Sequence, residues 1–79
     1  MPDQVDRTLD CLNLYCPEPV FKTRLEIDEM KVGETLEVLA DDPAAESDIQ
    51  NLVKYLGQQL VNVSKEGDKI RFLIKKIKP

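Results

Sequence analysis

The segment from Asp42 to Gly57 constrains the fold most, because it reads as one amphipathic helix with both ends marked. Asp42 suits the N-cap, Pro43 suits the first helical position, and Gly57 suits the end of a helix. Its apolar residues follow the i, i+4, i+7, i+8, i+11 spacing of one buried stripe: Ala45, Ile49, Leu52, Val53 and Leu56. A single stripe must be buried against another layer of structure.

Strands are predicted to supply that layer. The candidate strands cover residues 7–10, 35–40, 60–64 and 70–74. Leu9 and Cys11 fall on one face of the first, because side chains alternate along a strand. Glu66-Gly67-Asp68 lies between the last two candidates and is typical of a hairpin connection.

A first helix is predicted to begin at Pro17, to run to about Met30 and to end near Gly33. Its expected polar positions are Glu18, Lys22, Glu26 and Glu29, and its expected apolar positions are Val20, Phe21, Leu25, Ile27 and Met30. Arg24 and Asp28 interrupt the apolar arc.

The resulting order is β-α-β-α-β-β within a single domain, residues 1–79. Two helices cover only one face of a four-stranded sheet, so we expect an α/β (α+β) two-layer sandwich with a mixed sheet and both helices on one face. Leu39 and Leu73 are expected on the other face, exposed, as part of a partner surface.

Charge and composition argue against several classes of function. The net charge of −4 argues against direct nucleic-acid binding, which needs clustered Lys and Arg. The basic run Lys75-Lys76-Ile77-Lys78 is interpreted as a solvated strand end, with a protein-docking patch as the alternative. We expect no membrane span, a cytoplasmic location and no cofactor. A four-ligand zinc site is not expected either, because the chain has no His and two Cys.

Cys16 is the candidate reactive residue. It precedes Pro17, which disfavours helical backbone at Cys16, so Cys16 is predicted to be the N-cap of the first helix. Pro19 has no N–H, so the Glu18 N–H is the expected donor to the Cys16 sulfur, with Val20 nearby. The two prolines stiffen the loop, and Asn13 tolerates a left-handed backbone that would make a tight turn before it.

The predicted activation of this thiol is mild. Lowering a thiol pKa from about 8.5 to about 7 needs about 2 kcal/mol in favour of the thiolate. A helix N-terminus supplies about 0.3–1 kcal/mol and up to ~2 in favourable geometry. The Glu18 carboxylate opposes it, and no His is present to act as a base. Thiol exchange can proceed with such a group, whereas a protease-like mechanism cannot.

Two other sites have open interpretations. Cys11 is either a buried apolar residue or a resolving thiol that closes a disulfide with Cys16 across a tight turn. The acidic group Asp41, Asp42, Glu46 and Asp48 is either a divalent metal site or, as we prefer, helix capping and dipole complementarity.

Taken together, these residues resemble the TusA/SirA-like sulfur carrier proteins. The matching motifs are Leu9-Asp10, Leu14, Cys16-Pro17-Glu18-Pro19, Gly33-Glu34-Thr35-Leu36, Asp41-Asp42-Pro43-Ala44 and Asp48-Ile49. The resemblance covers residues 9–76 and implies a sandwich similar to the C-terminal domain of translation initiation factor 3. It implies that Cys16 takes sulfur as a persulfide, and that Pro17 and Pro19 shape the loop.

The same resemblance implies partners: a cysteine desulfurase or another sulfane-sulfur donor protein, and a downstream acceptor protein in tRNA thiolation or sulfur metabolism. Asn13 stands where the family usually has Gly, and Gln58 stands where it often has His. Cys11 is outside the family motif. The alternatives are a regulatory or redox-sensing module that uses Cys16, and a thiol-disulfide protein that uses Cys11 and Cys16.

Overall fold

The computed structural model describes residues 5–15 and 17–79. Its elements are β1 (Arg7–Cys11), α1 (Glu18–Glu29), β2 (Thr35–Ala40), α2 (Pro43–Leu56), β3 (Gln59–Glu66) and β4 (Lys69–Lys75). The predicted order of helices and strands is confirmed, and both helices begin and end within two residues of their predicted bounds.

The four strands form one mixed sheet in the order β1-β2-β4-β3. The β1–β2 pair is parallel, and the other two pairs are antiparallel. The predicted hairpin is confirmed: Glu66 pairs with Lys69, and Gly67, at φ +61°, opens the two-residue turn between them. Such turns favour glycine because they need a left-handed backbone.

The core lies between the sheet and the two helices. The sheet contributes Cys11, Leu36, Val38, Ala40, Ile70, Phe72 and Ile74, and the helices contribute Ile27, Ala45, Ile49 and Val53. Both helices therefore pack on one face of the sheet, which confirms the two-layer sandwich.

The ends of α2 follow the sequence signals. The Asp42 carboxylate accepts the Ala44 N–H at 3.1 Å, so the predicted N-cap is confirmed. Gly57 adopts φ +73°, and the Gln58 N–H donates to the carbonyl of Val53, as in a Schellman ending. The predicted stripe is buried except for Leu56, which is partly buried.

The prediction that Leu39 and Leu73 are both exposed is wrong. Leu73 lies on β4 between two neighbouring strands, paired with Glu37 on one side and Asn62 on the other, and is 3% exposed. Leu39 is partly buried. Leu39 and Leu73 alternate with the core residues Val38 and Phe72, so both lie on the predicted face, away from the helices. The burial of Leu73 removes the pair of exposed apolar side chains expected there.

The solvated reading of the basic C-terminal run is wrong for Lys76, which is buried. Its ammonium donates hydrogen bonds to the carbonyl oxygens of Ile27 at 2.8 Å and Met30 at 2.9 Å. The C-terminal end of a helix carries partial negative charge and attracts cations, which explains why this lysine turns inward.

Candidate functional site

The candidate site is the cysteine loop, residues 12–17, which connects β1 to α1. Cys16 belongs to this loop by sequence, and Cys16 itself lies outside the described residues. In the parallel β1–β2 pair, Cys11 is opposite Ala40. The cysteine loop and the segment after β2 therefore leave the sheet at the same edge, which is where α/β sheets commonly build their sites.

The first half of the cysteine loop is a tight turn. The Leu14 N–H donates to the Cys11 carbonyl at 3.3 Å, and the Leu12 N–H donates to the Asp10 carboxylate at 2.9 Å. Asn13 adopts φ +65°, so the left-handed backbone predicted for it is confirmed. Asn is among the few residues that take this conformation readily.

Asp41 is a contact of this loop that the sequence analysis missed. Its two carboxylate oxygens accept the Asn13 N–H at 3.0 and 3.1 Å. The sequence carries a signal for this contact: two aspartates follow β2, and capping α2 requires only Asp42. The carboxylate of Asp41, which follows a strand parallel to β1, can therefore reach the neighbouring cysteine loop.

The helix starts one residue later than predicted, so the assignment of Cys16 as its N-cap is wrong. The N-cap is Pro17, whose carbonyl accepts the first helical hydrogen bond from the Phe21 N–H at 3.1 Å. The Glu18 N–H donates to the Tyr15 carbonyl at 2.9 Å. The Glu18 N–H is therefore not free to donate a hydrogen bond to the Cys16 sulfur, as was predicted. Val20 carries the other backbone N–H of the first turn.

The residues of the Cys-Pro-Glu-Pro motif that the structure describes have different surroundings. Pro19 is fully buried, whereas Pro17 and Glu18 are exposed. Pro19 thus anchors the start of α1 in the core, and Pro17 faces solvent. Water screens the carboxylate of an exposed Glu18, which weakens its opposition to a nearby thiolate.

Cys11 is a free cysteine with 0% exposure, inside the hydrophobic core. Burial raises the pKa of the Cys11 thiol; the Lys22 ammonium opposes this rise, and the Asp10 carboxylate adds to it. These properties fit the buried apolar interpretation and make Cys11 a poor nucleophile in the folded protein.

An apolar groove lies beside the start of α1. It has a volume of about 390 Å³ and is lined by Pro17, Val20, Asp48, Asn51, Leu52 and Tyr55. Large exposed side chains occur close to it in sequence or on the same helices: Tyr15, Phe21, Leu25 and Tyr55 are 60–81% exposed. The prediction that Phe21 and Leu25 belong to the buried face of α1 is wrong, because that face is formed by Pro19, Thr23 and Ile27.

The acidic residues of α2 have structural contacts. Asp42 caps the helix, and Glu46 pairs with Lys65 at 2.6 Å. Over residues 5–15 and 17–79, no group of three His, Cys, Asp or Glu side chains is placed to hold a metal ion. The preferred capping interpretation is confirmed for Asp42.

Gln58, which stands where the resembling family often has His, holds the C-terminal segment. Its side-chain oxygen accepts the N–H groups of Ile77 at 2.8 Å and Lys78 at 3.1 Å. No helix in the described part of the chain is long and apolar enough to cross a membrane.

Fold and loop together define a class: small two-layer sandwiches that carry a cysteine just before the first helix. The family model described as "Sulfurtransferase TusA" matches residues 7–76, so the chain belongs to the TusA family. A relative from Archaeoglobus fulgidus, named "Putative sulfur carrier protein", is 56% identical over 73 residues, which cover 91% of this chain and 95% of that protein. Family membership supports a sulfur carrier role.

The crystal structure of a SirA-like protein from Desulfitobacterium hafniense has the same fold. The two superpose with a TM-score of 0.80, covering 91% of this chain and 99% of that one, at 24% sequence identity. The family expected from the sequence motifs is therefore confirmed, and so is the fold.

Proposed function

We propose that this protein carries sulfur as a persulfide on Cys16, received from a donor protein and relayed to an acceptor protein. The observation that carries the proposal is the Cys-Pro-Glu-Pro motif at the entrance of α1 in a chain of the TusA family. Cysteine desulfurases are the proposed donors, with other sulfane-sulfur proteins as alternatives. tRNA thiolation or sulfur metabolism in the cytoplasm is the proposed setting.

The transfer is a thiol exchange that needs no external oxidant. The Cys16 thiolate attacks the outer sulfur of the donor's R–S–SH group, a new S–S bond forms on Cys16, and the donor's own S–S bond breaks. The donor leaves as R–S⁻, and the proton stays on the outer sulfur. In the relay, an acceptor thiolate attacks that outer sulfur, and Cys16 leaves as a thiolate.

Cys16 is a better candidate than Cys11 for this chemistry. Cys11 is fully buried, and burial raises its thiol pKa, so it is neither accessible nor ionised near neutral pH. Pro17, directly after Cys16, is exposed and lines the apolar groove. A partner bound in that groove would meet the chain one residue away from Cys16.

Partner docking is supported by the apolar surface around the start of α1. Tyr15 is 72% exposed, Phe21 60% and Tyr55 81%, although aromatic side chains of this size are usually better covered. Tyr55 lines the apolar groove together with Pro17 and Val20, and exposed apolar surface of this kind marks interaction sites. A carrier needs such a surface twice, once for its donor and once for its acceptor.

Loading by a cysteine desulfurase tests the proposal. The protein is incubated with the desulfurase, its pyridoxal phosphate and free cysteine, and should gain the mass of one sulfur atom that a reductant then removes. Trypsin cleaves after Arg7 and Lys22, so Cys11 and Cys16 share one peptide, and fragmentation is needed to place the sulfur. The Cys16→Ser variant is the control and should not load.

The alternatives give different products. A redox sensor gains oxygen on Cys16 with peroxide and ignores the desulfurase. A Cys11–Cys16 couple loses two hydrogens and gains no mass. If neither a desulfurase nor thiosulfate with a sulfurtransferase loads the folded protein, the carrier proposal fails.

A further inference from the structure

We propose that Asp41 is a positioning residue for sulfur transfer. Its carboxylate fixes the turn at Asn13, in the first half of the cysteine loop. The inference rests on the proposed role of Cys16 as the sulfur acceptor. Its basis is the pair of hydrogen bonds from the Asn13 N–H to the two carboxylate oxygens of Asp41, at 3.0 and 3.1 Å.

The position of Asp41 follows from the parallel pairing of β1 and β2. Cys11 and Ala40 are opposite each other at the ends of these strands, so Asp41 and Leu12 both begin the segments that leave the sheet there. The Asp41 carboxylate needs only to turn sideways to reach the neighbouring loop. It thereby joins two segments that are 28 residues apart in the chain.

Among the described residues, the other hydrogen bonds of the turn at Asn13 are local. The Leu12 N–H is held by Asp10, two residues away, and the bond from the Leu14 N–H to Cys11 is long, at 3.3 Å. Within the described part of the chain, Asp41 supplies the hydrogen bond that joins the turn to the segment after β2. A left-handed residue is sterically costly unless its surroundings hold it.

The other acidic side chains nearby have different contacts. Asp42 caps α2 through the Ala44 N–H, and Glu46 pairs with Lys65. Asp41 takes part in none of the ion pairs among the described residues. Its contact with the Asn13 N–H therefore stands apart from helix capping and from charge pairing.

The expected consequence is kinetic. Thiol exchange needs the attacking sulfur in line with the donor S–S bond, and a misplacement of 1 Å can cost on the order of 100-fold in rate. Because the local turn bonds remain after Asp41 is replaced, we expect a loss of about tenfold. The fold should persist, since Asp41 is outside the hydrophobic core.

The test compares Asp41→Ala, Asp41→Asn and the control Glu46→Gln. Glu46→Gln removes an equal charge from the start of α2 and leaves the Asn13 contact intact. Four quantities are measured for each variant and the wild type: the single-turnover rate of Cys16 loading at saturating persulfidated desulfurase, the Kd for that donor, and the NMR shift and hydrogen-exchange rate of the Asn13 amide.

The proposal expects Asp41→Ala to load about tenfold more slowly with an unchanged Kd, and Asp41→Asn, which keeps one acceptor oxygen, to fall between it and the wild type. The Asn13 amide should exchange faster in the same order, and Glu46→Gln should match the wild type. Wild-type loading with an equal rate for Asp41→Ala overturns the inference and leaves the proposed function standing.

Three other results also decide the question. A higher Kd with an unchanged saturating rate overturns the inference, because Asp41 would then act in docking. Failure of the wild type to load overturns the proposed function and this inference together. If Asp41→Ala does not fold, the milder Asp41→Asn decides: a slower rate with a less protected Asn13 amide supports the inference, and a wild-type rate overturns it.

Discussion

The ammonium of Lys76 lies 2.8 Å from the carbonyl oxygen of Ile27. A residue that directly follows β4 thus caps the C-terminal end of α1. A second hydrogen bond, to Met30, is 2.9 Å long. The two bonds place a positive charge at the negative end of the helix dipole, and the Ile27 carbonyl also accepts the Met30 N–H. They fasten the C-terminal end of α1 to the segment that follows β4.

Lys76→Met should destabilise the protein by about 2 kcal/mol, because the Met30 and Ile27 carbonyls lose a buried, charged donor and the Ile27 carbonyl keeps the Met30 N–H. The measurement is urea unfolding followed by circular dichroism. Lys75→Met is the matched control: Lys75 is exposed, and its replacement should change stability by less than about 0.5 kcal/mol. Equal effects of the two substitutions would contradict the capping role of Lys76.

Thr23→Val should stabilise the protein by about 1 kcal/mol. Thr23 is fully buried on α1, and its hydroxyl has no hydrogen-bond partner in the described part of the chain. Valine has nearly the same shape and removes the cost of burying that hydroxyl. Thr8→Val is the comparison, because the Thr8 hydroxyl donates to Glu37 at 3.2 Å and should not give a gain. A loss of stability in Thr23→Val would reveal a partner for the hydroxyl.

The protein should lose stability above the ordinary thiol pKa, in part through Cys11. Burial raises the pKa of Cys11 above the ordinary value of a thiol, so at alkaline pH the unfolded chain releases this proton before the folded protein does. The unfolded state then binds fewer protons, and stability falls as pH rises. The loss between about pH 7 and about pH 10, measured by urea unfolding, should be smaller in Cys11→Ala than in the wild type. Parallel pH profiles would contradict this.

Cys11→Ser should remain a competent sulfur acceptor. Cys11 lies in the core and is inaccessible to a donor protein, so the substitution should lower stability while leaving Cys16 able to load. Mass spectrometry after incubation with a desulfurase gives the answer. A folded Cys11→Ser protein that cannot be loaded would show that Cys11 takes part in the chemistry.

Features that depend on neighbouring residues were predictable from the sequence. The ends of α2 are set by Asp42 and Gly57, and its apolar spacing is regular, so the helix could be located within a residue. The strands alternate, and the turn at Gly67 is a common hairpin signal. The left-handed backbone at Asn13 followed from the residue type alone.

Contacts between distant residues were not predictable in the same way. Lys76 reaches Ile27 across 49 residues and Asp41 reaches Asn13 across 28, and no local pattern indicates either partner. The buried face of α1 was predicted wrongly, because an apolar residue such as Phe21 is expected to be buried in preference to a polar one such as Thr23. Pro19, Thr23 and Ile27 are spaced four residues apart and form the buried face, whereas Phe21 and Leu25 lie two positions away from them, on the opposite side of the helix.

The sheet order has a consequence for how the protein is made. β4 is synthesised after β1, β2 and β3, yet it lies in the sheet between β2 and β3. Domains generally fold as units during synthesis, and here β3 has no neighbour until β4 emerges. A nascent chain that stops before β4 therefore lacks Ile70, Phe72 and Ile74, which belong to the core under the helices. We expect no sulfur loading on ribosome-bound chains that stop before β4.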